Sequence, residues 1–175
     1  MSPNVRARRL LPLTLLAVGV AVIVLGGVAG RYMQILSAPR EAPLPASLAG
    51  RQLQVSRYGT QAVAEIARLH GSDFPLTSAA VGSYGMSAEI QIWTAGTGIG
   101  WMARRMTLAM NEAISDGNSP FTPLGERMIE GRSVYELEGM GQRHYYFIAG
   151  PYLVWLAAES SVAPIALKEA LEFYP

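Results

Sequence analysis

The sequence predicts an α+β protein with a single N-terminal transmembrane helix, followed by a two-layer domain in which an antiparallel sheet packs with about three helices. Three features point there. Leu10 to Gly30 reads LLPLTLLAVGVAVIVLGGVAG, 21 residues without a charge. The second half of the chain alternates apolar and polar residues between tight-turn signals, the pattern of half-buried antiparallel strands. Segments with helical spacing of apolar residues are interposed among those strands.

The apolar run comes first. At 1.5 Å per residue it covers roughly 30 Å, the thickness of a hydrocarbon core. A core helix of that length in a soluble protein normally keeps a polar stripe, and this run has none. Pro12 falls in its first turn, where the missing N–H costs least. Arg6, Arg8 and Arg9 precede the run and Arg31 alone follows closely. The positive-inside bias then places the tail, residues 1–9, in the cytoplasm, with residues 10–30 in the cell membrane and everything later extracytoplasmic. A cleaved signal peptide is the competing reading, because Val28-Ala29-Gly30 could be processed; the length of the run and the immediate Arg31 argue for an anchor. Gly19, Gly26 and Gly30 share one helix face, and Gly26 and Gly30 have the spacing that lets two membrane helices approach closely. A tail this short cannot fold, so any activity is expected in the membrane or outside.

Residues 31–49 are read as a linker. Its later part, Ser37 to Ala49, contains Pro39, Pro43 and Pro45, which favour an extended, semi-rigid spacer. The domain is expected at 50–175. It begins with a strand at Arg51–Arg57 and a helix at Gln61–His70, with Thr60 as N-cap and Gly71 past its end. A strand pair follows at Leu76–Tyr84 and Ala88–Thr94, where Ile90 and Ile92 alternate with Glu89, Gln91 and Trp93. A helix is expected at Ile99–Ser115 with a core stripe of Met102, Met106, Ala109, Met110 and Ala113. Four strands come next, at Thr122–Ile129, Arg132–Glu138, Gln142–Ile148 and Tyr152–Ala157, split by glycine turns at hairpin spacing. A last helix spans Val162–Phe173. Tight turns make consecutive strands antiparallel. The first six elements have the βαββαβ order of ferredoxin-like folds.

Composition removes several chemistries. With no cysteine, disulfides, thiolate nucleophiles and zinc-thiolate sites are out. From residue 45 onward nine basic residues face twelve acidic ones, so nucleic-acid binding, which needs a clustered basic face, is not expected. Gly96-Thr97-Gly98-Ile99-Gly100 opens a helix after a strand, the context of a phosphate loop, but its spacing fits neither a dinucleotide fingerprint nor a P-loop. His70, Ser72 and Asp73 are the residue types of a hydrolase triad, yet they are contiguous, whereas triads converge from separate segments. His70 and His144 lack metal-ligand spacing, and Glu136 with Glu138 reads as strand-surface charge. No catalytic residue, metal or cofactor is expected.

Aromatics supply the remaining candidates. Trp93 falls on the polar side of its strand with Tyr84 near it across the hairpin, and consecutive Tyr145 and Tyr146 must point to opposite faces. Tyr84, Trp93, Tyr145 and Tyr146 are therefore the candidate partner or ligand surface, unless helices cover both faces. The expected function is non-enzymatic: a membrane-anchored interaction module, an accessory subunit of a larger membrane assembly, whose partners are the lipid bilayer and either a membrane protein or a second copy. A tethered binding domain for a small or lipidic ligand is the alternative, and an extracytoplasmic hydrolase comes last.

Overall fold

The computed structural model describes residues 4–70, 75–117 and 119–175, with side chains from Leu15 onward, His70 excepted. Two compact units divide the chain, Met1–Ser37 and Ala38–Pro175. The first is helix α1 (Asn4–Ser37). Its segment Leu15–Ser37 is long and apolar enough to cross a membrane. Its large apolar side chains from Leu15 to Val28 are between 53% and 75% exposed. The helix continues past Arg31, so the first turns of the expected linker are helical.

The second unit contains β1 (Arg40–Glu41), β2 (Ser47–Leu48), β3 (Arg51–Tyr58), α2 (Gly59–His70), β4 (Ser78–Tyr84), β5 (Ile90–Gly96) and α3 (Gly100–Ser115). It continues with β6 (Thr122–Ile129), β7 (Arg132–Gly139), β8 (Gln142–Ala149), β9 (Tyr152–Ala158) and α4 (Ala163–Phe173). Among the described residues the nine strands form one sheet in the order β2-β3-β4-β5-β9-β8-β7-β6, with β1 beside β4. Pairing is antiparallel throughout that path, and only the short β1 runs parallel to its neighbour. The α+β fold with an antiparallel sheet and an apolar N-terminal helix is as expected.

Three details differ. In a ferredoxin-like split βαβ unit a third strand separates the two strands that flank the helix. Here β3 and β4 flank α2 and are direct antiparallel neighbours, with Arg57 opposite Val81. The element order is ferredoxin-like and the pairing is not. α2 packs over the two strands it joins, and the chain re-enters the sheet beside β3.

The helices also divide between the two faces. On one face Ile90, Ile92, Tyr145, Phe147, Val154 and Leu156 meet the alanine and leucine side of α4. On the other, Ala79, Val81 and Ala95 meet Ala62 and Ile66 of α2, while Leu137, Tyr146 and Leu153 meet Ile114 of α3. The sheet is thus the middle of three layers, not half of two. Its strands carry apolar side chains on both faces, and each face requires a cover.

Finally, residues 38–49 are not a spacer. Ala42 is 2% exposed and Leu48 is fully buried. The Tyr84 hydroxyl donates to the Pro45 carbonyl at 2.9 Å, and the Tyr174 hydroxyl donates to the Pro43 carbonyl at 2.7 Å. Prolines lack a donor but keep an acceptor, and these extended carbonyls satisfy two buried phenols. Ala38 and Pro39 are all that separates the end of α1 from the start of β1.

Candidate functional site

Strand register creates a row of aromatic residues across four strands. Tyr135 of β7 lies opposite Tyr146 of β8, which lies opposite Trp155 of β9, which lies opposite Trp93 of β5. The Tyr135 and Tyr146 rings stack at 4.7 Å, and the Tyr146 and Trp155 rings at 5.2 Å. α3 lies over this row. Its Ala103 and Thr107 are buried, and small side chains there let the helix approach the rings. Met106 and Met110 fill the gaps beside Tyr146 and Trp155, as an unbranched thioether can. Asn111 accepts the Tyr146 hydroxyl.

The expected aromatic surface is therefore core. Tyr84 is fully buried, Tyr146 is 2% exposed and Tyr145 is 3% exposed. Trp93 is half-buried, and its indole N–H has no acceptor among the described residues. Tyr84 sits with the α4 cluster and Trp93 with the α2 cluster, on opposite faces, so the two do not meet. Tyr145 and Tyr146 likewise divide between the faces. Burial raises the phenol pKa of Tyr84, Tyr145 and Tyr146 above its ordinary value. Tyr174 is pushed up to about 12 by burial, partly opposed by its bond to Thr94. Phenols so held stay neutral donors and serve packing.

His144 lies at the end of the α3 side of the sheet and is 4% exposed. Phe121 tilts against it at 4.7 Å and Trp155 at 5.8 Å. Trp155 donates its indole N–H to His144 Nδ1 at 3.1 Å, and Nε2 lies 3.0 Å from the Gly139 carbonyl. Nδ1 must then be bare and Nε2 protonated, which satisfies the neutral ring completely. Burial lowers its pKa, and the Gly139 carbonyl only partly offsets this.

The other sequence candidates do not assemble. The side chain of His70, and Gly71, Ser72 and Asp73, lie outside the described residues. Among the described residues no three His, Asp or Glu side chains gather as metal ligands. Glu136 is held between Arg127 at 2.9 Å and Arg143 at 2.8 Å, and its side chain is 17% exposed. It is a compensated structural charge. In the Gly96–Gly100 turn Thr97 is fully buried and its hydroxyl donates to the Ile99 carbonyl at 2.9 Å. Gly98, at φ +71°, has a backbone only glycine adopts freely.

Two surfaces stand out instead. The first is the outer side of α3. The expected stripe through Ala109 and Ala113 is rotated: both are exposed, and Ala103, Thr107 and Ile114 face inward. Trp101 is left 59% exposed, Leu108 67% and the preceding Ile99 43%, with Arg104 and Arg105 exposed among them. Neither arginine has an acidic partner among the described residues. The signal was legible: Trp101 and Leu108 lie two turns apart, on the side that carries the charges.

The second is β6, one of the two terminal strands in the sheet order, exposed along seven of its eight residues. Pro123 and a bulge before Gly125 interrupt its first half, as edge strands often do to discourage random pairing. Glu126–Ile129 remains regular, with Met128 69% exposed. A recess of about 190 Å³ between β6 and α4, lined by Arg127, Ile129, Leu167 and Lys168, is smaller than a usual ligand pocket of about 300 Å³ or more. On α1, a Cβ added at Gly19, Gly26 or Gly30 would meet nothing within 4 Å, so this face is open.

No protein family, curated protein or solved structure matches the chain.

Proposed function

We propose that the chain is a single-pass membrane protein whose N-terminus is cytoplasmic and whose domain is an extracytoplasmic interaction module. The observation that carries this is the contrast between the two units. α1 turns apolar side chains outward with nothing among the described residues of its unit to cover them, and lipid is the solvent that suits them. The domain, by contrast, closes both sheet faces with its own helices. That leaves a strand edge open for a partner.

The partner surface we assign is Glu126–Ile129 of β6, which a strand from a membrane protein partner would extend by backbone pairing. The open glycine face of α1 provides a second contact within the bilayer. This reading is favoured over a small-ligand carrier by the small size of the β6–α4 recess. A photo-crosslinking residue at Met128, in the full chain in its native membrane, tests it. A discrete heavier product from Met128 and none from Met86 is expected, its mass telling a partner from a second copy. Monomer alone from both positions, on denaturing and native gels, contradicts it.

A further inference from the structure

We propose that the start of α3 is a lipid-docking surface: Ile99 and Trp101 enter the interface of an anionic membrane while Arg104 and Arg105 engage its headgroups. The inference rests on the reading that α1 crosses the bilayer.

The register locates this surface relative to the point where the chain enters the domain. Arg40, the first residue of β1, lies opposite Ser78 of β4, and Ser78 lies opposite Gly96, the last residue of β5. Two strand spacings, about 10 Å, thus separate the entry point from the turn that leads into α3. That turn is held in place. The Gly96 carbonyl accepts the Thr77 N–H at 2.7 Å, and buried Thr97 donates its N–H to the Pro151 carbonyl at 3.3 Å, so beyond Gly98 the chain presents Ile99 and Trp101 to solvent. The connection from α1 is Ala38 and Pro39, so Ser37 and Arg40 are about 10 Å apart at full extension.

Chemistry selects the occupant. A half-exposed tryptophan beside an exposed isoleucine matches the headgroup boundary, where indole rings partition. Two guanidinium groups without acidic partners sit within one turn of Trp101, although the domain as a whole is acidic. Clustered arginines beside apolar anchors are the recognition chemistry of anionic lipid.

The absence of native cysteine permits a direct test on the full chain. Nitroxide labels are placed at Ile99→Cys, at Met140→Cys in the β7–β8 turn at the opposite end of the sheet, and at Val22→Cys in α1. The protein is reconstituted in nanodiscs of phosphatidylcholine with phosphatidylglycerol. Accessibility to oxygen, which concentrates in hydrocarbon, is compared with accessibility to an aqueous nickel chelate. The label at 99 is expected to shift from the aqueous value seen at 140 toward the lipid value seen at 22. That shift should be lost when Arg104 and Arg105 are both replaced by Ser. A label at 99 that reads like the one at 140 overturns the docking surface while leaving the anchor intact. Shielding from both reagents, which signals protein contact, also overturns it, as does a shift that survives loss of both arginines. An aqueous reading at 22 instead removes the membrane reading itself.

Discussion

Trp155 and His144 share a hydrogen bond whose direction fixes the imidazole tautomer. The indole N–H donates to Nδ1 at 3.1 Å, and an indole can only donate. A proton arriving on Nδ1 would meet that N–H head-on. His144 is therefore built to be neutral, and burial depresses its pKa below the ordinary 6.5.

Stability should consequently depend on pH in one direction. Below the unfolded value of 6.5 the unfolded chain takes up a proton that the folded chain resists, so folding weakens as pH falls through that region and is constant above it. Thermal unfolding of the full chain in detergent, followed by tryptophan fluorescence between pH 8 and pH 5, should show a flat upper limb and a declining lower one. His144→Gln should remove much of the decline. A melting temperature that does not fall on acidification would contradict the assigned tautomer.

Gly139 is tied to the same cluster. A Cβ there would approach Phe121 Cδ1 at 2.5 Å and the Pro120 carbonyl at 2.9 Å. Gly139→Ala should cost about 1–3 kcal/mol through overpacking and should disturb the Trp155 emission. Gly141→Ala serves as comparison. It meets open space and suffers only the strain of its φ of +77°.

Arg132 tests how α4 is fastened. Its guanidinium donates to the carbonyls of Leu171, at 2.9 Å, in the last turn of the helix, and of Tyr174, just past its end. Arg132→Ala should destabilise the domain by about 1.5–3 kcal/mol. Arg132→Lys should recover only part, since one ammonium cannot reproduce the planar fork. Equal stability of all three proteins in chemical denaturation would show the contact to be idle.

Leu48 separates a spacer from a structural segment. It is fully buried in the α4 cluster, so Leu48→Ala should cost about 2–5 kcal/mol. A true linker residue would change nothing measurable in the denaturation midpoint.

That last case shows where sequence reasoning stops. Alternation and turn glycines locate all the strands from β3 to β9, because those signals are local. The prolines at 39, 43 and 45 look like a spacer until Tyr84 and Tyr174, distant in sequence, are seen to donate to the carbonyls of Pro45 and Pro43. Periodicity also tells which side chains share a face but not what covers it. Trp93 reads as outward on alternation alone and is half-buried because α2 and α3 roof its face. The buried side of α3 lies about a quarter-turn from the stripe expected from spacing, roughly one residue of a 3.6-residue turn. Met106 and Met110 do pack against the core, while the buried positions of the helix are Ala103, Thr107 and Ile114.

The central claim is that α1 crosses a membrane and leaves the domain outside. Thiol labelling of Met140→Cys in intact cells with a membrane-impermeant maleimide tests it most directly, since the chain has no other cysteine and Met140 is 79% exposed. The account predicts full labelling without lysis, on a full-length chain found in the membrane fraction. Labelling only after lysis, or a soluble labelled product beginning near Arg31, would contradict it.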